Sequence, residues 1–188
     1  MPEGKRGPND PHRIIDRLSP GDGLAILRIL AREDDQLAMR IAEIAMTYLS
    51  DVDADEIAGA LYGELDALEV EEVWDRSGKT RHGYVETQEA ASEMIEQVME
   101  PFRQEMQKYA QMGLHAQAKQ VCIGLLLGLY TFEHESTNEF KDWAVGEAAE
   151  FAREVIERWR RGSPSPADVR EVRQFVKDEL NSWVSWRQ

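Results

Sequence analysis

The densest set of side chains able to hold a divalent cation is Glu133-His134-Glu135, followed by Glu139 and Asp142. Glu135, Glu139 and Asp142 stand four and three residues apart. One helix running through them would put three carboxylates on one face beside His134, an oxygen and imidazole donor set that suits a transition metal. That arrangement is one reading of the chain: a metal-binding helical bundle, in its enzymatic form a metal-dependent hydrolase. Ser136 competes with it as a helix cap, since acids in a first turn also serve simply to complement the helix dipole. Glu-x-x-His and His-Glu-x-x-His, the di-iron and zinc-protease spacings, occur nowhere.

Two further groupings have the outline of chemistry. Ser77-Gly78-Lys79-Thr80 has the order of the end of a phosphate-binding loop, but that loop needs a glycine five residues before Gly78, and the residue there is Val73. A solvated basic loop is the expectation. His115 and Cys122 lie seven residues apart, on a similar helical face, yet Cys122 sits in the apolar run Val121-Cys122-Ile123-Gly124-Leu125. A reactive thiolate wants a partly exposed, electropositive site, so a small buried thiol is expected instead. No catalytic residue and no cofactor is assigned.

The elements that must position these residues follow from charge and periodicity. The 188-residue chain carries 22 Lys+Arg and 36 Asp+Glu, so 22 − 36 = −14. Between Asp51 and Arg76 there are ten acids and a single base, 1 − 10 = −9. A nucleic-acid partner is disfavoured, because phosphate binding rests on clustered Lys and Arg. A lone cysteine and a basic, Pro/Gly-rich start without an apolar segment behind it point to a cytoplasmic protein. The most apolar stretch, Val121 to Phe132, is broken by glycines and is short of the ~20 residues of a membrane span. Gly124-x-x-x-Gly128 within it marks a place where a neighbouring helix approaches closely.

Residues 1–20 read as a flexible tail, and 21–188 as one helical domain with an internal loop at 76–86. Leu24, Leu27 and Leu30, then Leu37, Ile41, Ile44 and Tyr48, repeat at helical spacing on either side of Glu33-Asp34-Asp35, giving two antiparallel helices. Asp53 caps a third, ending near Leu68. A long pattern from Thr87 to Met112 turns Met94, Ile95, Val98, Phe102, Met106 and Tyr109 inward, and its Pro101 predicts a kink or boundary near Met99. Leu114 to Phe132 reads as the central helix of a bundle. Ser136 and Glu139, then Ser165 and Asp168, read as capping boxes of two further helices, one ending at Gly162 and the other at the terminus. The fold class is all-α: an irregular multi-helix bundle or short helical-repeat array of about seven to eight helices.

Short-turn helix pairs with Ala38, Ala42 and Ala45 at packing positions, and Gly113-x-His115-x-x-Ala118 opening a helix, resemble the α-helical repeat proteins of tetratricopeptide or HEAT type over residues 22–132. No strict repeat period accompanies the likeness. The strongest working surface in the sequence is Trp74, Arg76, Lys79, Arg81, His82 and Tyr84, a loop of the residue types that anchor interfaces. The expected function is a non-enzymatic helical scaffold, a protein-protein interaction domain that binds another protein or a second copy through that loop, with Trp74 as anchor and Arg76 and Arg81 as carboxylate partners. No nucleic acid, membrane or small-molecule substrate is assigned. A second interface is expected at Trp183, Val184 and Trp186.

Overall fold

The structure is a computed structural model that describes residues 14–80 and 83–184. It is all-α: eight α-helices, one 3-10 helix and a two-stranded hairpin among the described residues. Contacts divide the chain into two units, residues 1–50 and 51–188, where the sequence pattern predicts one domain from residue 21. Of the expected N-terminal tail, residues 1–13 lie outside the described residues.

In the first unit, α1 (Pro20–Glu33) and α2 (Asp35–Leu49) are joined by Asp34 alone. Pro20 does not end the tail as expected; it opens α1, because its fixed φ suits the first helical position and Ser19 forms a reciprocal cap with Asp22. Asp34 closes one helix and caps the next, its carboxylate accepting from the backbone N–H of Gln36 and Leu37. No residue of either helix is buried. The seam between them is made of half-buried small or medium side chains, Ala31 on α1 and Ala38, Ile41, Ala45 and Leu49 on α2.

The second unit is built on α6 (His115–Glu135), which packs against α3 (Ala54–Asp66), α5 (Thr87–Gln111), α7 (Glu147–Arg161) and α8 (Pro166–Asp178). The central position expected for this helix is therefore observed. Its buried residues include Val121, Cys122, Leu125, Leu126, Leu129 and Phe132. Gly124 and Gly128 face α3. A Cβ at Gly124 would stand 2.6 Å from the Ala54 carbonyl oxygen, and one at Gly128 would stand 2.9 Å from that of Ala58, so only glycine admits this approach. Gly113, at φ +75°, ends α5 with the N–H of Leu114 reaching the Tyr109 carbonyl, a left-handed cap that favours glycine.

Two element boundaries differ from expectation, and of the kink or boundary expected near Met99 the boundary does not form. α5 runs unbroken through the exposed Pro101, because Met94, Ile95 and Met99 before it and Arg103 and Met106 after it are buried on one continuous stripe that holds both turns in place. The helix expected from Ser136 to Gly162 splits into a 3-10 helix, Glu139–Trp143 capped by Asn138, and α7, which starts after Gly146 in the left-handed region. α8 stops at Asp178 rather than continuing to the terminus, and Asn181 and Ser182 at φ +50° and +55° turn the chain back. Ser165 caps α8 as expected, its hydroxyl accepting from the Asp168 N–H and donating to the Asp168 carboxylate.

Candidate functional site

The segment from Trp74 to Tyr84 is held at both ends. α4 (Val70–Arg76) is a seven-residue helix pinned by the fully buried Val73 and closed by Ser77, whose N–H donates to the Val73 carbonyl and whose hydroxyl donates to the Trp74 carbonyl. The chain then enters β1 (Gly78–Thr80) and returns in β2 (Gly83–Val85), antiparallel, with Lys79 opposite Tyr84. Lys79 and Tyr84 thus share one face of the ribbon. Lys79 lies in a strand and opens no helix, so the local order Gly-Lys-Thr has none of the strand, loop and helix context that wraps a phosphate. Arg81 and His82 lie outside the described residues.

Trp74 is 54% exposed and Tyr84 68% exposed. The Trp74 ring meets Trp143 edge to face at 6.2 Å, which fixes its orientation without covering it. Arg76 differs from its expected role. Its guanidinium donates to Gln97 Oε1 at 2.8 Å and to Glu72 at 3.2 Å, so it ties α4 to α5 rather than standing ready for a partner's carboxylate. Beside the ribbon, an open groove of about 530 Å³ is lined by Glu86, Glu89, Glu93, Glu96 and Glu147 with Gln88 and Ser92. Ser92 and Gln88 both donate to Glu147, which fastens α7 to the start of α5.

The metal set does not assemble. Among the described residues no three His, Cys, Asp or Glu side chains form a group able to hold an ion. α6 ends at Glu135 and Ser136 is extended, so His134 and Glu135 never share a helix with Glu139 and Asp142, which lie on the 3-10 helix. His134 is used otherwise: Nδ1 is 2.8 Å from the Tyr130 carbonyl, the ring stacks on Tyr130 at 4.1 Å, and Trp183 meets both rings edge-on. Trp183 and the buried Val184 accordingly pack on their own chain instead of offering an interface, and Trp186 lies outside the described residues. Cys122 is fully buried, and burial pushes its thiol well up from the ordinary range. His115 sits half-buried at the first position of α6.

Comparison with protein families, curated proteins and solved structures finds no match. The geometry therefore carries the functional reading by itself.

Two polar arrangements are not foreseen by the sequence pattern. Arg103 is fully buried on the inner stripe of α5, paired with Glu96, with Glu100 at 3.5 Å and with Glu154 at 3.2 Å, and it lies 5.8 Å from the Phe151 ring centre. Glu100 is held below the usual carboxylate range by the Gln104 amide and by Arg103 and Arg158, against the opposing effect of burial. Ser136 donates to Asp66 at 2.6 Å, while the Asn138 amide donates to the Asp66 and Leu68 carbonyls at 2.6 and 2.9 Å, satisfying the end of α3. The signal for this second cluster is Ser136-x-Asn138, a pair of side chains that bond backbone readily.

Proposed function

We propose that this protein is a helical scaffold that binds another protein through the Trp74–Tyr84 segment. The observation that supports this most is the placement of the two aromatics. Trp74 and Tyr84 are two of only four exposed large hydrophobic residues among those described in 51–188, the others being Met112 and Val145; Tyr84 lies in the short ribbon and Trp74 on the helix that leads into it. Trp and Tyr supply large contact area at low entropic cost, which is why they anchor interfaces. Lys79 on the same ribbon face and the glutamate-lined groove nearby give the surface charges of both signs within reach of one partner.

The test is crosslinking mass spectrometry in native lysate, reading links from Lys79. A recurrent partner in the wild type, lost by tenfold or more in Trp74→Ala and Tyr84→Ala at unchanged far-UV circular dichroism, is the expected result. No recurrent partner, or links that persist undiminished in both variants, would remove this reading.

A further inference from the structure

The helical pair of residues 20–49 poses a problem that the second unit does not share. Its helices have 14 and 15 residues, lengths at which an isolated helix is marginal in water. Neither buries a single residue. Ten large apolar side chains on these two helices are exposed, from 36% at Leu30 to 84% at Tyr48. The cause is the seam. Alanines at 31, 38 and 45 bring the helices together but remove little surface, while the large side chains project to either side of it. On α2, Leu37, Ile44 and Tyr48 recur at seven and four residues on one flank, and Met39 and Met46 recur at seven on the other.

Two quantities identify the occupant. With ordinary side-chain areas, the exposed apolar surface of the two flanks together comes to roughly 1,000 Å² per copy. It exceeds the ~800 Å² that each partner contributes to a standard stable interface. The second quantity is charge. Residues 20–49 hold three bases and five acids, 3 − 5 = −2, whereas 51–188 hold 15 and 28, 15 − 28 = −13. Two copies of the near-neutral segment can meet without stacking like charges, and a self-complementary patch closes as a two-fold pair.

We propose that residues 20–49 form a homodimerisation hairpin, two copies of which pack into a four-helix bundle. This surface is separate from Trp74–Tyr84, so either proposal can fail alone.

The test is sedimentation velocity of the full chain across micromolar concentrations, on the wild type, on the double variant Ile29→Glu/Ile44→Glu, and on Met39→Lys. Both sets of positions are exposed, so neither substitution strikes a buried contact within the pair. The wild type is expected at twice 21.5 kDa, 2 × 21.5 = 43 kDa, and the double variant at 21.5 kDa. All five tryptophans lie in 51–188, so unchanged tryptophan emission certifies that the second unit is intact. Should emission change in the double variant, Met39→Lys decides: a dissociation constant raised tenfold or more supports the proposal. A wild-type monomer throughout, or a dimer undisturbed in both variants, overturns it. Flotation of monomeric wild type with phosphatidylcholine/phosphatidylglycerol vesicles would overturn it in favour of a membrane-surface role.

Discussion

Asp168 makes three contacts at once. Its carboxylate accepts from the Ser165 hydroxyl at 2.6 Å and meets Lys119 Nζ at 2.8 Å, while its backbone N–H donates to Ser165. Lys119 is also bonded to Glu171, so α6 and α8 are pinned by one lysine between two carboxylates. Lys119 and Ser165 hold the Asp168 carboxyl below its ordinary range, and Asp168 and Glu171 hold the Lys119 ammonium above its own. The signs then follow by linkage. The Asp168 contribution is complete above the unfolded carboxylate pKa and is lost as pH falls through the lower folded value. The Lys119 contribution is complete below the unfolded lysine pKa and is lost as pH rises through the higher folded value. Asp168→Asn should therefore cost about 1–2 kcal/mol near neutral pH. In urea titrations the gap between variant and wild type should stay flat at neutral pH and narrow toward strong acid. A gap that is constant into strong acid would show that the ion pair contributes nothing.

At the scale of elements, the decisive contact is α3 against α6. Gly124→Ala places a methyl 2.6 Å from the Ala54 carbonyl and 2.7 Å from Ile57 Cβ, and both obstacles are fixed by helix rather than by a mobile side-chain tip. Overpacking of this kind costs about 1–3 kcal/mol, and Gly128→Ala, with its nearest approach at 2.9 Å, should cost less. Thermal melts that rank the two variants in the opposite order would contradict the packing. This contact is legible in the sequence, because two glycines four apart in an apolar run leave a smooth strip against which only another backbone packs well. The inner stripe of α5 is legible only in part. Periodicity turns Val98 and Phe102 inward, but both are half-buried, while Met99 and Arg103 take the core positions. A buried arginine defeats hydropathy, since its charge hides how much of its stem packs. The metal set fails for a related reason: its spacing assumes a helix that Ser136 and Asn138 end. The Trp74–Tyr84 segment is recognisable by residue type, but the capture of Arg76 depends on Gln97, a residue 21 positions away.

Across the whole molecule, tryptophan and helix report different things. Far-UV circular dichroism sees both units, whereas tryptophan emission sees only 51–188. The first unit has no buried residue in its helices and the second has a continuous core, so their stabilities should differ. Urea unfolding is expected to give a circular-dichroism transition that begins earlier than the tryptophan transition and moves with protein concentration, while the tryptophan transition does not. Coincident, concentration-independent curves would mean that the chain unfolds as one cooperative unit. A two-unit layout is hard to see in the sequence, because α1 and α2 have the same amphipathic periodicity as the helices that do find a core. What distinguishes them is the alanine seam, and its meaning depends on where the large side chains go.

Cys122 gives the second unit a clock. It is the one thiol in 188 residues, and it sits on the central helix with no solvent contact and little tendency to ionise. An alkylating reagent can reach it only while the helices around α6 have parted. The rate at which the chain acquires a single label thus counts the openings of its core, with no residue added or removed to make it measurable.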